Sequence, residues 1–250
     1  MIIHQIFFQF DSKVILTPEH ISLLERVKVN NPGAQHILWD LLTADSFVSK
    51  HYPELLEVFR TPTPYPIMKC DMFRYMLMHH YDDSIYLDLD FACIRSLDII
   101  YSESGIFPKA DILLSEEWHD SLETGSLHNG CLVSKRKGHP FWKQMLYECS
   151  KNIPMSIEKS DVWAATGTQL LARIFKATHD FYRGSVAVIE YRYFCSYIAK
   201  ENGVLYLMDG KRTPSHERNW YPIPISMIDE IIPKAEDALC LMVDMKSMWR

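Results

Sequence analysis

Long apolar runs, a cleavable leader and an excess of positive charge are all missing from this chain of 250 residues. No stretch reaches the roughly 18 consecutive apolar residues that a membrane-spanning helix needs. The first residues contain neither a basic region nor a small-residue cleavage site. We therefore expect a cytoplasmic protein with no transmembrane segment in this chain. This expectation leaves open an anchor outside the sequence.

The six cysteines form no CxxC pair, and their spacings do not resemble those of a zinc site. Several of them stand among apolar residues, where a free thiol behaves as a small hydrophobic group. We predict that they are reduced, as in most cytosolic proteins.

The net charge of −6 argues against a protein that binds a nucleic acid backbone, because such binding requires many lysine and arginine side chains. The sequence also contains no glycine-rich phosphate loop of the GxxxxGK[ST] type, no internal repeat and no low-complexity tract. With 48% hydrophobic residues, a chain of this length can bury a large core without disulfides or structural metals.

Segments with strand and helix patterns alternate along the chain, which predicts an α/β fold with a mainly parallel sheet flanked by helices. The predicted strands cover residues 2–10, 36–39, 85–87, 111–115, 130–134 and 186–191. The predicted helices cover 18–29, one or two helices within 41–60, then 67–81, 141–152, 163–178 and 225–235. Three prolines at alternate positions between 61 and 66 predict an extended connector within one domain.

Two carboxylates follow the apolar strand 85–87 directly, at Asp88 and Asp90. In an extended chain residues two apart lie on one side, so both side chains can point the same way. Ligands of open α/β sheets collect at the carboxyl ends of strands. Oxygen ligands suit a hard cation, so the pair forms either a site for Mn²⁺ or Mg²⁺ that could hold a diphosphate or part of a solvated loop after the strand.

The predicted helix before this strand contains a second polar pair, Asp71 and Arg74, three residues apart on one helix face. These two residues form either a surface ion pair or a pair of polar groups that face the hydroxyls of a sugar or ribose. The apolar residues around them are predicted to belong to the core. Trp163 is expected in the core or the wall of a cleft, in preference to a stacking platform.

The order and spacing of several motifs resemble those of glycosyltransferase family 32, whose sugar-binding region carries a DxD motif. More distantly they resemble the glucosyltransferase domains of large bacterial toxins. The resemblance covers most of the chain. It rests on IIHQIF at 2–7, WD at 39–40, KCDMFRY at 69–75, YLDLD at 86–90, NG at 129–130, GHPF at 138–141, TGT at 166–168, and His216 with Trp220.

This resemblance implies a GT-A fold and one domain over 1–250, with residues from about 185 onward completing the acceptor side. It implies a retaining transferase that uses Mn²⁺ or Mg²⁺ and takes a UDP- or GDP-linked sugar to a hydroxyl acceptor, such as a glycan in polysaccharide biosynthesis. The implied catalytic residues are Asp71, Arg74, Asp88 and Asp90. The implied donor-binding residues are His4, Gln5, Phe7, Tyr86, Asn129 and Gly167, and the implied metal ligands are Asp88, Asp90 and His216.

The chain departs from the family pattern at four places. Asp82, Asp83 and Ser84 stand in place of a Gly-Gly pair, so the turn before the strand must differ. Cys70 stands where the family has serine and Thr168 where it has proline, and the His216 element is one residue shorter.

The predicted function is therefore transfer of a sugar from a nucleotide sugar to a hydroxyl group. One alternative is a metal-dependent nucleotide-sugar hydrolase or phosphoryl-transfer enzyme that uses the same carboxylates. A second alternative is a noncatalytic carbohydrate-binding module that retains the fold.

Overall fold

The computed structural model describes residues 1–12, 15–61, 65–102, 109–117, 121–155, 161–194, 196–201, 204–207 and 238–242. The predicted helix 225–235 and part of the 61–66 connector lie outside these ranges, as do His216 and Trp220.

A six-stranded sheet forms the centre of the protein, in the order β2-β1-β3-β6-β5-β7. Its strands are β1 (Ile2–Ile6), β2 (Gln35–Trp39), β3 (Ser84–Leu87), β5 (Ile112–Ser115), β6 (His128–Ser134) and β7 (Val186–Ile189). Five strands run in one direction, and β6 runs antiparallel to its neighbours β3 and β5. The predicted α/β fold with a mainly parallel sheet is confirmed.

A second, four-stranded sheet has the order β4-β10-β8-β9. It is made of β4 (Phe91–Cys93), β8 (Ser196–Glu201), β9 (Val204–Leu207) and β10 (Cys240–Met242). None of these four strands was predicted. They are short or show no clear alternation of apolar and polar residues. The sheet links the chain directly after Asp90 to the C-terminal part of the protein.

Eight α-helices are present in the described ranges. They are α1 (Pro18–Asn30), α2 (Leu41–His51), α3 (Leu56–Arg60), α4 (Ile67–His80), α5 (Ser121–Thr124), α6 (Pro140–Asn152), α7 (Asp161–Ala165) and α8 (Thr168–Thr178). The 3₁₀ turn Pro53–Leu55 separates α2 from α3, as the proline predicted.

The single helix predicted over 163–178 is wrong, because the chain breaks at Thr166 and Gly167 into α7 and α8. The backbone N–H groups of Thr166 and Gly167 both donate to the carbonyl of Val162 at 3.0 Å, which ends α7. Gly167 then serves as the N-cap of α8, and Thr168 occupies its first position. Proline is favoured at the first position of a helix. Thr168 and the proline that the family has there therefore fit the same backbone.

Alternate residues of the central strands enter two hydrophobic cores, one on each face of the sheet. On one face Tyr86 and Leu114 pack with α2, α4, α6 and α8. On the other face Ile85 and Leu113 pack with α1, β4 and β10. Helix α4 is buried along most of its length, so its two buried charged residues, Asp71 and Arg74, must find partners inside the protein.

Within the described ranges no helix is both long and apolar enough to cross a lipid bilayer.

Candidate active site

A cavity of about 200 Å³ opens at the carboxyl ends of β1 and β3. Helix α4 contributes its first two turns, β6 contributes its first residues, and the α7–α8 turn forms the opposite wall. The lining residues are Ile6, His20, Ile67, Cys70, Asp71, Arg74, Tyr86, Asp88, Leu89, Asp90, Asn129, Val162, Trp163, Gly167 and Thr168.

The structure brings together seven of the predicted site residues at this cavity: Asp71, Arg74, Tyr86, Asp88, Asp90, Asn129 and Gly167. Asp88 and Asp90 occupy the tight turn between β3 and β4. The Asp88 N–H donates to the carbonyl of Gly130 at 2.8 Å, so β6 fixes the start of this turn. The two carboxylates therefore reach one cavity, as the spacing predicted.

Asp88 contacts buried protein groups and is also open to the cavity, since about a third of its side chain (34%) remains exposed. Its Oδ1 accepts a short hydrogen bond from the Tyr86 hydroxyl. Arg74 Nη1 lies 3.4 Å from the carboxylate, and the guanidinium lies 4.7 Å above the Tyr86 ring. These partners hold the carboxylate in one orientation and leave an edge free for a ligand.

Arg74 is almost completely buried and connects the two acidic groups of the site. Its Nη1 donates to the backbone carbonyl of Asn129 at 2.6 Å, and its Nη2 lies 3.2 Å from Asp71 Oδ1. Burial acts to lower the pKa of Arg74, but Asp88, Tyr86 and Asp71 outweigh it and raise the pKa well above its ordinary value. The guanidinium therefore stays charged.

Asp71 is only 3% exposed, and neighbours hold both of its carboxylate oxygens. Asn129 Nδ2 donates to Oδ1 at 2.9 Å, and the Thr166 hydroxyl donates to Oδ2 at 2.7 Å. Burial raises the pKa of Asp71, while Arg74 and the Thr166 hydrogen bond oppose this shift. Asp71 thus orients Arg74 and Asn129 at the cavity floor, and a direct contact with a sugar stays a prediction.

Two glycines fit the site because a side chain would collide there. A Cβ atom on Gly130 would lie 2.5 Å from Asp88 Oδ2 and 2.6 Å from the His128 ring. A Cβ atom on Gly167 would lie 3.1 Å from the Trp163 Cα. The motifs NG and TGT therefore carry a packing requirement at the cavity wall.

Three predicted donor-binding residues do not line this cavity. His4 is fully buried, and its Nδ1 accepts a hydrogen bond from Trp39 Nε1 at 3.1 Å. Gln5 is buried in the middle of the central sheet, and Phe7 follows the end of β1. Their role in binding a nucleotide stays a prediction, as does the role of His216, which lies outside the described residues.

Several residues of the site were not predicted from the sequence. Thr166, Tyr75 and His128 contact the network from distant parts of the chain: Tyr75 donates to the Thr166 carbonyl at 2.8 Å, and His128 Nδ1 accepts from the Gly130 N–H at 3.0 Å. Burial lowers the pKa of His128 to about 4. His20 caps α1 and lines the cavity. The Thr166 contacts with Asp71 and Tyr75 span more than 90 residues, so local spacing could not predict them.

The two carboxylates offer a chemically suitable donor set for a hard cation. The described residues contain no group of three or more histidine, cysteine or carboxylate side chains arranged around one point. Mg²⁺ commonly binds one or two carboxylates together with phosphate oxygens and water. Asp88 and Asp90 fit this kind of shared coordination, in which a ligand supplies the remaining oxygens.

Comparison with known proteins identifies a family whose sequence pattern covers part of this site. Residues 17–107 match the family described as glycosyltransferase sugar-binding region containing DXD motif. The predicted family resemblance is confirmed. The DXD region so defined includes α4, β3 and the Asp88–Asp90 turn, which are the elements that form the cavity floor.

Parts of the chain are also similar to yeast enzymes. The mannosyl phosphorylinositol ceramide synthase CSH1 of Saccharomyces cerevisiae is 41% identical over 68 residues, which are 27% of this chain and 18% of that protein. The inositol phosphoceramide mannosyltransferase 1 of Schizosaccharomyces pombe is 33% identical over 119 residues, which are 48% of this chain and 33% of that protein. The matches therefore span a third or less of these relatives' length.

The chain has the fold of a solved glycosyltransferase, described as involved in the glycosylation of the major capsid of PBCV-1. The two structures superpose with a TM-score of 0.52 at 10% identity, over 99% of this chain and 96% of the other. The predicted GT-A fold is confirmed.

Proposed function

We propose that this protein transfers a glycosyl group from a nucleotide sugar to an acceptor hydroxyl, with a divalent cation held by Asp88 and Asp90. The observation that carries the proposal is that both carboxylates line one cavity together with Arg74, Asn129 and Asp71. A bound Mn²⁺ or Mg²⁺ would neutralise charge on the leaving diphosphate.

Arg74 and Tyr86 would act on this step by fixing the Asp88 carboxylate. The guanidinium is held by Asp71, Asp88 and the Asn129 carbonyl, so it needs little rearrangement when a ligand binds. Such preorganised charge is effective in a buried site, because the charged groups do not have to reorient during the reaction. Asp71, Arg74 and Asn129 would thus position the donor at the cavity floor.

We further propose that the sugar is mannose and that the acceptor is the inositol ring of an inositol phosphoceramide. This part of the proposal rests on the names of the two yeast relatives and on their partial identity with this chain. The reaction is proposed to retain the configuration of the anomeric carbon, as the resemblance to family 32 implies.

A transfer assay tests the proposal. The full chain is incubated with Mn²⁺, inositol phosphoceramide in detergent, and each of a panel of UDP- and GDP-linked sugars that includes GDP-mannose. We expect release of nucleoside diphosphate that depends on both cation and acceptor, and a mannosylated lipid whose anomeric configuration NMR assigns as retained. Release that is the same with and without acceptor would indicate a hydrolase, and an inverted product would reject the retaining mechanism.

A further inference from the structure

Two thiols face each other across the strands that join the DXD turn to the C-terminal part of the chain. Cys93 is the last residue of β4, and its register partner on the antiparallel strand β10 is Cys240. Both are free cysteines, and both are completely buried. They belong to the core on the face of the sheet away from α4, so they take no part in the cavity.

The hydrogen bonds around this pair identify its position in the ladder. The Ile94 N–H donates to the Leu239 carbonyl at 2.9 Å, one step beyond the Cys93–Cys240 pair. In an antiparallel ladder this bond borders a non-hydrogen-bonded pair, whose Cα atoms lie about 4.5 Å apart. Disulfides in proteins span Cα separations of about 4.4–6.8 Å. The two cysteines can therefore be joined with little movement of the backbone.

The side chains of this register pair also interact. A hydrogen bond with the Cys240 side chain is the largest cause of a lowered Cys93 pKa. Asn31 Nδ2 also donates to Cys93 Sγ, at 3.4 Å. Burial shifts the pKa of Cys70 and Cys149 in the opposite direction, well above the ordinary value. Cys93 is thus better prepared than these two to react as a thiolate.

We propose that Cys93 and Cys240 form a disulfide site that cross-links β4 to β10 when the protein meets a disulfide oxidant such as oxidised glutathione. The Cys93 thiolate attacks one glutathione sulfur, and one glutathione thiolate leaves. The Cys240 thiolate then attacks the Cys93 sulfur of the mixed disulfide and releases the second glutathione. The two cysteines lose two protons and two electrons, and oxidised glutathione accepts them and becomes two molecules of reduced glutathione.

The cross-link would fasten the strand that begins directly after Asp90 to the C-terminal strand of the second sheet. Since both sulfurs are fully buried, the exchange must wait for a local opening of β10, which has only three residues. The reaction is therefore slow in the native protein and becomes faster as the temperature approaches that of unfolding.

The experiment incubates the full reduced chain with oxidised glutathione at several temperatures below the melting temperature. Remaining thiols are alkylated, and non-reducing peptide mapping by mass spectrometry finds the linked cysteines. We expect a Cys93–Cys240 peptide lighter by two hydrogen atoms, a higher melting temperature of the oxidised protein, and loss of both after reduction. No substrate is needed, so the outcome is independent of the proposed glycosyl transfer.

Single variants provide the controls. Cys93→Ser and Cys240→Ser should abolish the linked peptide, whereas Cys131→Ser, which removes another buried cysteine, should leave it unchanged. If Cys93→Ser does not fold, Cys93→Ala serves in its place. A stable glutathione adduct on Cys93 that never closes, a cross-link to another cysteine, or two alkylated thiols at every temperature would overturn the proposal.

Discussion

The two ends of helix α4 both carry polar side chains, buried in the first half and half-buried in the last turn, but they differ in charge. The first half holds Asp71 and Arg74, an ion pair that is connected through Asp88 to the cavity. The last turn holds His79 and His80, which pack against aromatic rings near the opposite end of the strands. The same helix thus serves a charged region and a neutral one.

The histidine end excludes charge. His80 packs against His51 with ring centroids 4.3 Å apart, and the Tyr52 hydroxyl contacts His79 Nδ1 at 2.8 Å. Burial and then His51 lower the pKa of His80 to about 4. Burial and then His80 lower the pKa of His4 to about 3. His4 and His80 are therefore neutral at pH 7 and act as packing groups.

The charged end keeps its ions and leaves one of them, Asp88, partly open to the cavity. Burying ions costs several kcal/mol each unless partners compensate, so a buried network of this kind is costly for packing alone. The difference indicates that ligand chemistry is located at the first half of α4, and that the histidine end contributes to stability. Four substitutions can break or sharpen this comparison, from the largest expected effect to the smallest.

The largest effect is expected from Arg74→Met, which leaves Asp71 and Asp88 without their cation. Removal of one partner from a buried ion pair costs about 3–5 kcal/mol of unfolding free energy. Denaturant unfolding measures the change. Arg60→Met is the matched control, because the Arg60–Asp45 pair has a shorter distance of 2.6 Å but lies at the surface, where solvent screens such a pair and it contributes little to stability. Equal losses in the two variants would contradict the comparison.

The second effect is the pH dependence of stability caused by His4. Its pKa is about 3 in the folded protein and about 6.5 in an unfolded chain. Below pH 6.5 the unfolded chain therefore binds a proton that the folded protein does not. The free energy of unfolding is therefore not reduced by His4 above pH 6.5. Below pH 6.5 it decreases with falling pH, by up to about 1.4 kcal/mol per pH unit for this histidine.

Unfolding curves at pH 7, 6, 5 and 4.5 measure this slope. In His4→Asn the amide oxygen can still accept the hydrogen bond of Trp39, so the slope should decrease by the contribution of one histidine. His179→Asn, at a half-exposed position, is the control and should leave the slope unchanged. An unaltered slope in His4→Asn would mean that His4 titrates normally in the folded protein.

A smaller effect is expected at Trp163, which lines the cavity although its side chain is 55% exposed. This exposure rules out the predicted core position and leaves the predicted cleft wall. We propose, beyond the sequence prediction, that an acceptor ring packs against its indole. We expect Trp163→Ala to raise KM for the acceptor about 3- to 10-fold, since an aromatic contact contributes about 0.5–1.5 kcal/mol. Phe181→Ala, at an 84% exposed position outside the cavity, should not change KM.

The smallest effect is expected from Asp83→Gly. Asp83 has a φ of +45°, so it adopts a left-handed conformation at the turn where the family has a Gly-Gly pair. Glycine adopts this conformation without steric cost. Thermal unfolding should show a stabilisation of about 0.5–1 kcal/mol, whereas Asp83→Val should destabilise the protein by about 1–2 kcal/mol. Activity should not depend on either change.

The first 190 residues follow their local sequence patterns closely, which is why most of the fold could be predicted. Pro18, Pro53, Pro66 and Pro140 mark helix starts, and the apolar strand before Asp88 ends as expected. The α7–α8 break was missed, because helical spacing continues through it. In the structure the N–H groups of Thr166 and Gly167 share the Val162 carbonyl, which ends α7.

The polar core of the site was predicted in part. Asp71, Arg74, Asp88 and Asp90 stand within 20 residues and form a recognisable pattern, whereas Thr166 reaches Asp71 across 95 residues of sequence. Local spacing carries no information on such contacts. The same reason applies to the second sheet, whose strand β4 pairs with β10 near the end of the chain.

Calorimetry of GDP-mannose binding with and without Mn²⁺ tests the central claim most directly, namely that Asp88 and Asp90 share a cation with the donor. We expect Mn²⁺-dependent binding that Asp88→Asn and Asp90→Asn each weaken at least about 10-fold, or about 1.4 kcal/mol. Asp111→Asn is the control, because the Asp111 side chain is also 34% exposed but lies outside the cavity. Equal Mn²⁺-dependent affinity in all three variants would contradict the claim.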